Sequence, residues 1–416
     1  MFHYTSVHSI QTDYSEVIDL KNRAPKASGN YATRDTLAPW TYLSAEFHTL
    51  ETDLFKSQWL LAGHVSSLRN TGDFITCDAA GERALVIVDE AGVIRAFHNV
   101  CRHRGAKLLD DSGTCKHRIS CPFHGWAYGF DGALVNVPLP ETFDNLVKQD
   151  HGLKPLPVEV WHGFVFISFR PQSESVAKRL HSVSDEVAPY KIADMEPLMQ
   201  AYEDVRPYNW KVIHDIDNEG YHVPIGHPSL QQLYGLSYED RIEDGLPISD
   251  AVISEKPATL WSVRHYQNLL PQYDHLPEHR QKSWWYVGLF PNAVIALTPD
   301  MVEYYMTIPV SVNETRYLGC QFGLPDNRRE TRAARYLNTR INSITETEDE
   351  SFVRDMQNGM RSSVFPTPVL SSAEIGVRHF HQQIQRHLPV ASLCDEPAAG
   401  TVRELNNVLA LSLIHI

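Results

Sequence analysis

The chain has 416 residues, 43% of them hydrophobic, and a formal net charge of −14 at pH 7. That length allows two or three domains around a large core, no apolar run approaches the ~20 residues of a membrane helix, and the acidic balance argues against a nucleic-acid partner. Six cysteines are too few for a disulfide framework in so long a chain, and Met1-Phe2-His3-Tyr4 shows no basic-then-apolar signal pattern, so a cytoplasmic protein with no membrane contact is expected.

Residues 1–40 read as a polar N-terminal arm containing Pro25 and Pro39. Ser44 is placed to cap a helix whose apolar residues Phe47, Leu50, Leu54 and Phe55 recur at helical spacing. Short alternating segments follow at Trp59 to Val65, Gly72 to Cys77, Arg83 to Val88 and Val93 to Asn99. Their Gly and Asp punctuation predicts antiparallel strands.

Two loops interrupt this pattern, Cys101-Arg102-His103-Arg104-Gly105 and Cys121-Pro122-Phe123-His124-Gly125-Trp126, with seventeen residues between His103 and Cys121. Each offers one thiol and one imidazole, which makes a four-ligand metal site. Zinc fingers usually pair Cys with Cys and His with His. A Rieske [2Fe–2S] centre needs two thiolates on one iron and two neutral imidazoles on the other, and mixed loops deliver that because each can touch both irons. Gly105, Gly125 and Pro122 suit tight turns around a cluster. A structural zinc site, or scattered buried Cys and His, is the plainer alternative. The stretch resembles a Rieske domain, and the resemblance implies Cys101 and Cys121 on one iron with His103 and His124 on the other. Cys77, Cys115, Cys320 and Cys394 are too scattered for a second site. Trp126-Ala127-Tyr128 before Asp131-Gly132 predicts a hairpin, and Val158 to Ile167 closes a unit assigned to residues 41–170.

Beyond Pro171 a charged, helical pattern runs to about residue 200. The next informative stretch is Asn209-Trp210-Lys211 through Glu219-Gly220-Tyr221-His222 to His227-Pro228. A helix over 209–222 would put Asp215, Asn218, Glu219 and His222 on one face. Two histidines and a carboxylate with open positions make the facial triad of non-haem Fe(II) oxygenases. The segment resembles the mononuclear-iron signature of Rieske oxygenase large subunits. That resemblance implies His222 and His227 as iron ligands and Glu219 as the catalytic acid linking the iron histidine to a cluster histidine of the neighbouring subunit. Many ring-hydroxylating members carry Asp there, and Glu219 matches the subgroup that oxidises carnitine, choline and glycine betaine. Ile216 departs from the Asn common at its place.

Residues 230–335 are expected to form the body of the second unit, with strands at Trp284 to Leu297, Met301 to Val310 and Arg316 to Phe322. Trp261, Trp284, Trp285, Tyr286, Tyr304 and Tyr305 are available for an aromatic cage, although core packing accounts for most aromatic residues of a sheet. On a helix over 346–360, Asp349 shares the apolar face with Phe352, Val353, Met356 and Met360, while Glu348 and Glu350 point to either side. A carboxylate on an apolar face needs a partner or a metal, and the family's Glu-Asp before Gln-x-Gly agrees, so Asp349 is the third expected iron ligand. His379 and His381 are not expected to be ligands. The terminal Leu411-Ser412-Leu413-Ile414-His415-Ile416 resembles the translated end of a sequencing-library transposon adapter, so residues 411–416 are expected to be a foreign tail.

The resemblance implies an α+β protein: an all-β Rieske domain followed, over residues 171–410, by a helix-grip catalytic domain with an antiparallel sheet. It further implies a terminal oxygenase component that uses a [2Fe–2S] cluster, Fe(II), O2 and electrons from NAD(P)H, delivered by a flavin/iron–sulfur reductase or a ferredoxin. A small substrate would be hydroxylated or N-dealkylated, with a lean to a quaternary amine, and a homotrimer would pair each cluster with the iron of the next chain. Oxidation of an aromatic ring is the alternative within the enzyme class. A Rieske electron carrier or redox sensor is the alternative outside it.

Overall fold

The structure, a computed structural model, describes residues 36–365 and 368–413. Most of the expected arm and Ile414-His415-Ile416 of the expected tail therefore lie outside the described residues. Leu37 and Ala38, at the end of that arm, are buried, and the Leu37 amide donates to His381 Nδ1 at 3.1 Å. Helix α1 (Ala45–Lys56) starts where expected, with the Ser44 side chain accepting from the Phe47 amide.

The first half is built of short strands. They are β1 (Leu60–His64), β2 (Asp73–Ala79), β3 (Glu82–Val88), β4 (Ile94–His98), β5 (Ser112–Thr114), β6 (Ile119–Ser120), β7 (Ala127–Tyr128), β8 (Leu134–Asn136), β9 (Pro155–Leu156), β10 (Val158–Trp161) and β11 (Phe164–Ile167). They form antiparallel sheets ordered β5-β2-β3-β4-β9, β6-β7-β8 and β1-β11-β10. The small β6-β7-β8 sheet carries the second Cys/His loop at its β6 end.

The second half is one eight-stranded sheet made of β12 (Glu196–Pro197), β13 (Tyr202–Arg206), β14 (Glu239–Glu243), β15 (Leu246–Val252), β16 (Ser283–Leu289), β17 (Ala293–Leu297), β18 (Val302–Ser311) and β19 (Glu314–Gly323). Its pairings are all antiparallel, in the order β12-β19-β18-β17-β16-β15-β14, with β13 also on β19. The segment Trp284 to Leu297, expected as one strand, is two. Pro291 has no N–H for a ladder, and the chain turns there into a hairpin.

Alternation along these strands separates two faces. Trp285, Val287, Ile295, Val302 and Tyr304 share a core with Trp59, Phe164 and Phe166 of the first half. Trp284 packs the other way, with Val263, Tyr266, Ala334, Leu337 and Ile341. Covering that face are α2 (Trp210–Asp217), α3 (Pro228–Tyr234), α4 (Trp261–Leu269) and the 31-residue α5 (Arg329–Gly359), with α6 (Ile375–His387) and α7 (Val402–Leu413) beyond. Among the described residues no helix is long and apolar enough to cross a membrane.

One buried ion pair ties the halves together at the start of α2. Lys211 Nζ donates to Glu51 Oε1 of α1 with both side chains sealed from solvent, and the ammonium sits 4.9 Å from the Tyr42 ring centroid. Lys211→Met is expected to lower unfolding stability by about 3–5 kcal/mol, because it strands a buried carboxylate. The Glu51→Leu/Lys211→Met double variant should regain most of that loss. Urea titrations of wild type and both variants measure the difference.

Candidate metal centres

The two Cys/His loops adopt the same backbone form. In each, the cysteine amide donates to the carbonyl five residues on, Ala106 at 2.8 Å and Trp126 at 2.7 Å, and the glycine amide donates back to the cysteine carbonyl. Gly105 and Gly125 take φ of +81° and +73°, a left-handed backbone that side chains disfavour. Cys101 and Cys121 are buried side by side. The His103 and His124 rings meet toward the surface with centroids 4.9 Å apart. Two thiols at the inner end and two imidazoles at the outer end form the donor set of a cluster with one sulfur-bound and one nitrogen-bound iron. Burial, with His124 and Arg104 nearby, pushes His103 below its usual pKa, which favours the neutral ring a metal needs. Trp126 stacks on His103 at 4.8 Å and 9°. Tyr128 was not singled out from the sequence; its oxygen accepts from the Arg102 amide at 2.9 Å, leaving its O–H to face Cys101 Sγ at 3.4 Å. Hydrogen bonds to cluster sulfur raise a cluster's potential.

The second site begins with a correction. The helix expected over 209–222 ends at Asp217, where Asn218 caps it with Nδ2 donating to the His214 carbonyl at 2.7 Å. The Glu219 carboxylate accepts from the amides of Tyr221 and His222, a local bond that competes with helix continuation. Gly220 is required beside it, since a Cβ there would stand 1.9 Å from the Tyr238 ring. Asp215 therefore does not share a face with His222. It accepts instead from the Tyr42 hydroxyl at 2.7 Å and contacts His381 at 2.9 Å, which accounts for that histidine away from any metal position. A single helical turn, Val223–Gly226, then sets His227 back beside His222.

His222, His227 and Asp349 converge. His222 Nε2 lies 3.0 Å from His227 Nε2, and Asp349 Oδ1 lies 3.6 Å and 2.9 Å from these two nitrogens. The Nδ1 atoms face outward onto carboxylates, His222 onto Glu219 and His227 onto Glu348 at 2.9 Å. Ionised carboxylates only accept, so each Nδ1 carries a proton and in the neutral rings both Nε2 lone pairs face each other. Asp349 Oδ1 is buried without a hydrogen-bond partner among the described residues. Three acceptors aimed at one point fit a cation. Ligands bound at right angles ~2.1 Å from one ion lie roughly 3 Å apart, close to the spacing found. Glu348, expected to point aside, was missed; its shoulder position on α5 reaches the back of His227.

A cavity of about 180 Å³ opens beside these three residues. Of the six aromatic residues considered from the sequence, Tyr286 and Tyr305 line it, Trp284, Trp285 and Tyr304 are core, and Trp261 is 53% exposed. Tyr202, Tyr208, Tyr234, Tyr238 and Tyr317 also line it and were not foreseen. The register puts Tyr286, Ala296 and Glu303 side by side on β16, β17 and β18.

Residues 178–390 match the family described as ring hydroxylating alpha subunit (catalytic domain). The chain belongs to the ring hydroxylating alpha subunit family. Residues 58–155 match the Rieske [2Fe-2S] domain, so this family member carries the [2Fe–2S] unit as well as the non-haem Fe(II) unit. The carnitine monooxygenase oxygenase subunit of Acinetobacter pittii (strain PHEA-2) is 36% identical over 195 residues, 45% of this chain and 52% of that protein. The glycine betaine monooxygenase oxygenase subunit of Chromohalobacter salexigens is 32% identical over 180 residues, 43% of this chain and 40% of that protein. The chain spans about half the length of the curated relatives it matches. The fold resembles that of the quaternary ammonium Rieske monooxygenase CntA in complex with L-carnitine, with a TM-score of 0.71 at 22% identity over 85% of this chain and 95% of that one. Naphthalene 1,2-dioxygenase from Rhodococcus sp. shares it at 0.68 and 20%, over 87% and 95%.

In this ring hydroxylating alpha subunit the Glu348 contact has a measurable consequence. Glu348→Ala is expected to weaken Fe(II) binding about 10–100-fold, the usual cost of losing a carboxylate behind a metal-binding histidine. Chelator competition measures the affinity, and an unaltered Rieske EPR signal would show the change to be local.

Proposed function

We propose that this chain is the terminal oxygenase component of a multicomponent Rieske oxygenase that oxidises a quaternary amine. The carrying observation is the meeting of His222, His227 and Asp349 beside a tyrosine-lined cavity in a chain that also holds the Cys101, His103, Cys121 and His124 loops. When bound, the cluster at those four residues would supply single electrons and Fe(II) at the triad would supply oxygen activation. The division into units near residue 170, the cytoplasmic location and the homotrimer belong to the same reading. So does a flavin/iron–sulfur reductase or ferredoxin as the source of NAD(P)H electrons.

The chain's own residues do separable jobs. Glu219 and Glu348 hold protons on the Nδ1 atoms of His222 and His227, which fixes both rings and leaves each Nε2 free. Glu219 is a positioning residue on this reading. Each of its oxygens has two lone pairs, so it can also accept from a cluster histidine of a neighbouring chain. Tyr286, Tyr305 and Tyr317 supply ring faces to a quaternary nitrogen, which no hydrogen bond can hold, and their bulk excludes water. The cavity also holds the carboxylates of Asp217 and Glu303, which suit a cation and not an aromatic hydrocarbon. The carnitine and glycine betaine relatives support the same choice.

Purified protein should be red-brown and give a Rieske-type EPR signal on reduction; colourless protein with stoichiometric zinc overturns the reading. Asp349→Ala should lose the mononuclear iron while the cluster signal persists. With Glu219→Gln, both metals should stay bound while substrate-coupled NADH and O2 consumption falls at least 100-fold. Turnover retained in that variant removes the link through Glu219.

A further inference from the structure

The charges inside the cavity are not balanced, and the imbalance bears on the substrate. Besides the two histidines, Arg206 is the only basic residue of the lining among the described residues, and it is surrounded by three carboxylates. Its Nε donates to Asp204 at 2.8 Å, one terminal nitrogen to Glu346 at 2.5 Å, and its other lies 3.9 Å from Glu350. Three of the neutral donors in the lining that are not tyrosines are also committed. Asn342 donates to Asn338 at 3.0 Å, Thr345 to the Ile341 carbonyl at 3.2 Å and Ser249 to Asp240 at 2.6 Å.

The acids are not matched in the same way. Asp217, the last residue of α2, lines the cavity, and its buried Oδ2 has no hydrogen-bond partner among the described residues. It lies within electrostatic reach of Tyr286, Tyr305 and Tyr317, the rings assigned to the quaternary nitrogen. Burial first, then the charges of Asp349 and Glu346, push its carboxyl well above the usual range. Glu303 is on the same wall, accepting from Tyr202 at 3.0 Å and Gln321 at 3.3 Å, and burial pushes it up to about 7. Burial without a partner keeps a proton on the Asp217 carboxyl while the cavity is empty, and a cation entering the cavity offsets the cost of ionising it. An entering carboxylate would meet these acids and find no free cation.

We propose that the substrate is a cationic amine bearing no carboxylate, and that the unpartnered Asp217 carboxyl, ionised by the arriving cation, selects it. The inference rests on the cavity being the substrate site of a quaternary-amine oxygenase, and it sets this chain apart from enzymes whose substrates are zwitterions. The specificity is partly negative: the cavity disfavours the zwitterion by offering its anionic end no free cation.

The test uses the Fe(II)-loaded chain under anaerobic conditions and calorimetric titration with three probes that share a trimethyl head and a three-methylene chain. These are γ-butyrobetaine, its methyl ester, and methyl 5,5-dimethylhexanoate, in which carbon replaces the charged nitrogen. The ester should bind at least tenfold more tightly than either of the others. Asp217→Asn should weaken the ester at least tenfold and leave the neutral probe, the iron content and the Rieske EPR signal unchanged. The zwitterion binding as tightly as its ester overturns the proposal on wild-type protein alone, and an undiminished ester affinity in Asp217→Asn overturns the role of that residue. If none of the three binds while naphthalene does, the quaternary-amine reading itself falls, a result distinct from loss of selectivity between the ester and the zwitterion.

Discussion

Two imidazole nitrogens 3.0 Å apart, each with its proton held on the far side of its ring, are the constraint on which the rest of this structure depends. Lone pairs do not approach so closely without a positive charge between them, and Asp349 adds a third acceptor to the same point. Without a metal the available substitute is a proton. Burial lowers the His227 pKa, but the contacts with Asp349 and Glu348 outweigh it and the net shift is upward. A metal ion bound at that point would compete with the proton and release it. The outer carboxylates keep both rings in register whichever occupant is present.

That convergence requires three pieces of backbone from distant parts of the sequence. The turn after Asp217 brings Glu219 behind His222, Val223–Gly226 returns the chain to His227, and α5 passes alongside with Asp349 and Glu348. The sheet provides the opposite wall. Its period of two sends Tyr286, Ala296, Glu303 and Tyr305 toward the cavity and the intervening residues into the core shared with β1, β10 and β11. The cavity and that core are thus two sides of the same strands.

The cluster loops were legible because each is a short local pattern. Once Cys101-x-His103 and Cys121-x-x-His124 are written down, the matching hydrogen bonds follow from chain geometry. Asp349 was legible from an energetic argument, that a carboxylate on the apolar face of a helix needs a partner. The helix expected through His222 was not correct, since periodicity does not register that Glu219 bonds its neighbours' amides. Glu348 was missed for a related reason: face arithmetic on an isolated helix ignores what packs against its shoulder. The edge pair β14 and β15 escaped notice because Glu239-Asp240-Arg241 carries charge where a buried strand would be apolar. Tyrosines of the cavity come from four different strands, the approach to α2, and α3 with the turn after it, and no local pattern unites them.

Carboxylates around the cavity also show why the overall charge of −14 says so little about chemistry. Four acids fall within five residues of α5, and the 100° step of the helix sends them to different partners. Glu346 and Glu350, 40° apart on the helical wheel, meet Arg206, and Glu350 also accepts from Tyr208 at 3.1 Å. Asp349, 60° to one side, reaches the two Nε2 atoms, and Glu348, 100° further, reaches the outer nitrogen of His227. The same functional group is in turn a counter-ion, a third acceptor beside two imidazole nitrogens and a holder of an imidazole proton. Asp217, on α2, also has an oxygen that faces no donor among the described residues, but unlike Asp349 it does not meet two histidines with which to share an ion. A buried acid left without a partner inside a cavity is what an incoming cation can recognise.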